Sequence, residues 1–179
     1  MSDEIAELRA RITRLEARDA CRSSFNEYLH YLDAGFTEEL LGVFAEDARL
    51  EVMNFPPGSG KDLEFCGRDE IRPLYADHEG VMSRHHSANV SVIVNEGATR
   101  ADLSAYFLTA LNYGLTGGVY EATLEPRDGK WRLTWMRISS SWGWVVPQKN
   151  PPFLADHLGA GTLRGGRPVT HASPRQVGR

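Results

Sequence analysis

Cysteine is scarce: Cys21 and Cys66 are the only thiols in 179 residues. Two cannot build a disulfide framework, and in a chain read as cytoplasmic both are expected to be reduced. No apolar run approaches the ~20 residues that span a bilayer, and MSDEIAELRAR carries charges without an apolar core behind them. A cytoplasmic protein with no membrane partner is therefore expected. Basic charge is also in deficit, with 20 Lys+Arg against 24 Asp+Glu and a net charge of −4. That leaves no electrostatic footprint for a phosphate backbone and argues against nucleic acid as a partner. Phosphate-binding loops are missing too, since GSGK at 58–61 lacks the Walker spacing and its strand-to-helix context. No cofactor is expected. What remains is ordinary globular material, 41% hydrophobic and 25% charged, in a length that suits one domain.

Apolar side chains at Ile5, Leu8, Ile12, Leu15, Cys21, Phe25, Tyr28, Leu29 and Leu32 recur at three-to-four spacing and predict a long amphipathic helix from about 4 to 33. A break is expected near Ala17 to Asp19. Gly35 stops this helix, and FTEELLGVFA reads as a short second one with Thr37 as its N-cap. ARLEVMN is strand-like, FPPGSGKDLEFCG is a Pro- and Gly-dense loop, and GRDEIRPLYADHEG is a third helix. From Arg84 the period changes to two. Val90, Val92 and Val94 alternate, NEGAT turns, RADLSAYFLTALNY returns, and GGVYEATLEP joins KWRLTWMRISSSWGWVV through Asp128-Gly129, a strong hairpin signal. Helices followed by a meander of antiparallel strands make an α+β fold, with helices packed on one face of a curved sheet. The folded domain is expected over 1–146. The tail 147–179 is expected to dock first through Pro151, Pro152, Phe153 and Leu154 and then to be mobile, as a lid over a pocket or a strap between subunits.

Three features carry chemistry. Asp33 lies at the edge of the apolar helix face, near the C-terminus, where a carboxylate meets the negative end of the helix dipole. It is either solvated or paired with a cation such as a histidine. Arg84-His85-His86 opens the first meander strand, where adjacent histidines point to opposite faces. Parity groups His86 with Val90, Val92 and Val94, and His85 with Ser91 and Ile93, which does not decide which histidine faces inward. Vicinal strand histidines cannot chelate one ion together, so no metal site is expected. Finally, Tyr28, Tyr31, Tyr106, Tyr113, Trp135, Trp142 and Trp144 supply polar-tipped rings that would line an apolar pocket if they face inward. Trp142 and Trp144 share one strand face and suit a subunit contact equally well.

The run from Arg11 through Val52, the HH-x-x-N strand and DGKWRLTW together resemble the SnoaL-like proteins of the nuclear transport factor two superfamily, over residues 5 to 146. The resemblance implies a cone-shaped α+β barrel, in which a strongly bent antiparallel sheet wraps the long helix and leaves a pocket at its open end. The chain is similar to bile acid 7α-dehydratase, scytalone dehydratase and hexachlorocyclohexane dehydrochlorinase, which eliminate small leaving groups. Their Asp–His pair maps onto Asp33 and His85, with His86 as the alternative if a bulge shifts the register. The Tyr-x-x-x-x-Asp spacing of the bile acid enzyme is present as Tyr28 to Asp33.

The resemblance implies a cofactor-independent lyase acting on a hydrophobic multi-ring molecule. His85 would be the base, Asp33 its orienting partner, and Tyr28 the acid or electrostatic stabiliser. Tyr31, Tyr106, Asn112 and Trp142 are candidate substrate contacts, with Arg137 a further polar group. An isomerase or polyketide-type cyclase using the same pair, or a non-catalytic binding or assembly subunit, are the competing functions. A homo-oligomer is expected, a trimer rather than a dimer, because the resembled dehydratases are trimeric.

Overall fold

A computed structural model describes residues 2–55, 58–76, 83–111 and 114–145. Helix α1 (Ser2–Ala34) is followed by α2 (Thr37–Val43), β1 (Phe44–Met53), β2 (Leu63–Cys66), α3 (Arg68–Ala76), β3 (Ser83–Val94), β4 (Ala101–Leu111), β5 (Gly114–Arg127) and β6 (Lys130–Val145). The six strands form one sheet in the order β2-β1-β6-β5-β4-β3, and the fold is α+β as expected. No helix among the described residues is long and apolar enough to cross a membrane.

Several local expectations change. The first helix runs without a break through Ala17 to Asp19; what changes there is the face it buries. Thr37 is the first helical residue of α2 and not its cap. Phe36 holds the cap position without a side-chain bond, and α2 starts with Leu40 N–H donating to the Phe36 carbonyl at 2.9 Å. Inside the Pro- and Gly-rich loop, residues 63–66 form an edge strand antiparallel to β1, because pairing with an open strand edge outweighs weak local propensity. The sheet is also mixed rather than wholly antiparallel, since β1 returns beside β6 in parallel. Nor does it close into a barrel, with β2 and β3 as its edges. The tail expected to dock through Pro151 to Leu154 lies outside the described residues.

The core forms where the second half of α1 crosses the inner sheet face. Phe25 and Tyr28 are fully buried, and Leu29 and Leu32 nearly so, against Leu50, Leu103, Phe107, Tyr120, Leu124, Leu133 and Met136. Strand alternation does the sorting: Ala101, Leu103, Ala105, Phe107 and Thr109 are buried while Asp102, Ser104, Tyr106 and Leu108 are exposed. The β5–β6 hairpin turns at Asp128 and Gly129, both at positive φ (52° and 74°), as a two-residue turn of the primed type requires. Gly118 is needed for close approach, because a Cβ there would lie 1.9 Å from the Ser139 carbonyl oxygen.

Candidate active site

Asp33 occupies the last turn of α1 and β3 passes beside it. The Ser83 hydroxyl donates to Asp33 Oδ1 at 2.9 Å, the His85 backbone N–H donates to Oδ2 at 2.9 Å, and His85 Nδ1 lies 2.6 Å from Oδ1. Both side chains are only 10% exposed. Burial pushes the Asp33 carboxyl upward, but the hydrogen bonds and charge of His85, with Ser83, outweigh it and hold the group below the usual carboxylate range. These donors answer the unfavourable position at the negative end of α1. An ionised carboxylate only accepts, so the hydrogen-bond network assigns the Nδ1 proton to the histidine as donor. The neutral ring then carries its lone pair on Nε2, which has no hydrogen-bond partner among the described residues.

The choice between the two histidines is made by a bulge. Ala88 pairs with Tyr106, but Ser91 pairs with Ser104, so β3 carries one extra residue there. Asn89 sits at φ 53°, in the left-handed region that Asn tolerates better than most residues. Inward parity therefore switches. Ser83, His85 and Ser87 share the inner side with Val90, Val92 and Val94, whereas His86 is exposed on the other face.

Thr109 went unnoticed at the level of sequence. It is the cross-strand partner of His85, is 2% exposed, and its Oγ1 has no hydrogen-bond partner among the described residues. Buried hydroxyls without partners are uncommon in native proteins. Its only sequence signal was a polar residue at an inward position of an otherwise apolar strand.

Other candidates stand apart from this arrangement. Tyr28 has no exposed surface, and its hydroxyl lies 3.0 Å from that of Tyr75. It forms part of a buried aromatic cluster with Phe25, Phe44, Tyr75 and Tyr120, so it does not present its hydroxyl to an open space. Burial, then the charges and hydrogen bond of the neighbouring Tyr75 and Asp33, push its ionisation far above the ordinary tyrosine range. Tyr31 is half-buried, with its ring 6.4 Å from that of Phe36. Tyr106 and Trp142, expected to line the pocket, instead point outward: Tyr106 is 56% and Trp142 48% exposed. The physical reason is register, since each shares an outer row with exposed neighbours, and the Trp142 ring covers Gly117. Arg137 belongs to the outer face as well, where it donates to the buried Glu51 alongside Trp135 and Arg49. Asn112 and Tyr113 lie outside the described residues. An open groove of about 640 Å³, lined by residues such as Asp102, Ser104, Glu121 and Trp135, is also on the outer face, away from His85. Of the thiols, Cys21 is buried and pushed up to about 12 by burial, and Cys66 is exposed; neither is in a disulfide.

Helices packed against this open, mixed sheet make a cystatin-like class of fold, which an NTF2-like protein from Novosphingobium aromaticivorans shares. Within that class the chain belongs to the SnoaL-like domain family, which matches residues 13–137. No curated protein matches the sequence. A Novosphingobium aromaticivorans protein assigned as a scytalone dehydratase is 23% identical, with a TM-score of 0.64 over 76% of this chain and 91% of that one. Hexachlorocyclohexane dehydrochlorinase LinA-type3 from Novosphingobium barchaimii LL02 is 19% identical, with a TM-score of 0.63 over 76% of this chain and 94% of that one. At such identities the likeness is one of fold.

Proposed function

We propose that the chain is a cofactor-independent lyase that eliminates a small leaving group from a hydrophobic multi-ring compound. The carrying observation is the 2.6 Å contact between Asp33 and His85 Nδ1, which leaves Nε2 as the lone-pair nitrogen. Nε2 removes a proton from carbon, the C–H electron pair becomes the new double bond, and the leaving group departs with its own bonding pair. For a hydroxyl leaving group, the imidazolium returns its proton and water leaves. Asp33 holds the tautomer and stabilises the transient positive charge. Tyr28 acts from behind this site as a neutral, buried dipole and not by contact. The dehydratase and dehydrochlorinase assignments of structurally similar proteins support elimination over other chemistries.

The test is incubation of the protein in D₂O with a panel of multi-ring β-hydroxy carbonyl compounds, read by mass spectrometry. Elimination predicts loss of one water from substrate, absent in His85→Gln. Deuterium gained at unchanged composition would replace the lyase reading with an isomerase. No turnover and no His85-dependent binding across the panel would favour a non-catalytic subunit.

A further inference from the structure

The first half of α1 carries an apolar stripe that the core does not use. Ile5, Leu8, Ile12 and Leu15 are 47%, 52%, 53% and 46% exposed. The buried positions of the same helix begin at Ala17 and continue through Cys21, Phe25, Tyr28 and Leu32. At about 100° per residue the two stripes are centred roughly 160° apart. The exposed stripe is therefore a separate surface and not a frayed extension of the core face.

Its spacing of three, four and three is that of a coiled-coil seam. Ile5 and Ile12 fall on the first apolar position of successive heptads, and Leu8 and Leu15 on the second. β-branched Ile at the first and Leu at the second is the combination that favours two parallel strands. The flanking charges give the same answer. Glu4 and Arg11 precede the first apolar position, while Arg9 and Glu16 follow the second. None of these four forms an ion pair with another described residue. In a parallel, in-register pair, Glu4 meets Arg9 of the second copy and Arg11 meets Glu16, so every flanking contact is between opposite charges. An antiparallel pair that stacks Ile5 on Leu15 sets Arg9 against Arg9 and Arg11 against Arg11.

We infer that residues 4–16 pair with the same segment of a second copy of this chain as a parallel two-stranded coiled coil, making the protein a dimer. Two heptads alone would be marginal as free peptides. Here they continue a helix already held by the folded core, which removes the cost of nucleation. This inference is independent of the lyase reading, and it opposes the trimer implied by the family resemblance.

Light scattering on the full chain is expected to give twice the 20.0 kDa chain mass. The double variant Leu8→Lys/Ile12→Lys should give the single-chain mass with its circular dichroism preserved, since both positions are exposed. Glu4→Arg/Glu16→Arg and Arg9→Glu/Arg11→Glu should each weaken dimerisation at least about tenfold through like-charge contacts, and an equimolar mixture of the two should restore the dimer. Orientation is read by Ile5→Cys in a Cys66→Ser background, which is expected to form a covalent dimer on oxidation. A single-chain mass for the unaltered protein overturns the inference. So does any assembly, trimer included, that survives Leu8→Lys/Ile12→Lys, as one built through the outer rings Tyr106, Trp142 and Trp144 would. Failure of the mixture to re-pair, or cross-linking only between Ile5→Cys and Leu15→Cys chains, overturns it as well.

Discussion

His85 and Thr109 face one another across β3 and β4, one ring held by a carboxylate and one hydroxyl held by nothing among the described residues. A buried hydroxyl without a partner costs about 1–3 kcal/mol. Thr109→Val keeps the shape and removes the hydroxyl. The expected outcome is equal or higher stability, by about 1 kcal/mol, measured by urea unfolding. A clear loss of stability would mean that the hydroxyl is already satisfied.

The depressed carboxyl of Asp33 makes a pH-dependent contribution to stability. Because its folded pKa lies below the unfolded value, the contribution is fully present above the unfolded pKa of about 3.9 and is lost as pH falls through the folded value. Asp33→Asn should therefore be less stable than the unaltered chain at neutral pH, and the gap should narrow in acid. Unfolding curves at a series of pH values check this.

Tyr28, Tyr75 and Tyr120 are each pushed above the ordinary tyrosine range, first by burial. Their neutral forms favour the folded state below the unfolded pKa of about 10, and that stability declines as pH rises beyond it. Ultraviolet difference titration should show these three of the six tyrosines ionising only as the protein unfolds in alkali.

Two glycines should respond in opposite directions to alanine. At Gly118 the new Cβ would lie 1.9 Å from the Ser139 carbonyl oxygen and 2.9 Å from the Phe107 ring, so Gly118→Ala should lower Tm strongly. Gly42, in α2, has nothing within 4 Å of an added Cβ. Gly42→Ala should raise stability by up to about 1 kcal/mol through helix propensity.

The helices, the meander and the Asp128-Gly129 turn were readable because each rests on local chemistry: apolar period, breaker residues, and a pair that accepts positive φ. Strand β2 was not, since nothing in LEFC announces that it lies along the edge of β1; nor was the parallel return of β1 beside β6, which depends on a contact nearly ninety positions away in the chain. Within the site, Asp33 stood out as a carboxylate on an apolar edge. His85 could not be separated from His86 by counting, because the count runs through Asn89. Tyr106 and Trp142 failed for a related reason: aromatic content says nothing about which side of a strand a ring occupies. Thr109 looked ordinary until its neighbour across the sheet was known.

Asn89 works as a phase change in the pleat. The valines beyond it and the histidines before it keep separate alternations, so the core half of β3 can be optimised for packing without dictating which imidazole meets the carboxylate. Removing that one position would leave a single rhythm with His85 still on the inner side, whereas keeping it in a strand without the bulge would bring His86 to the inner side with the valines and turn His85 away. Which imidazole meets Asp33 is thus set by the bulge and not by the presence of a histidine.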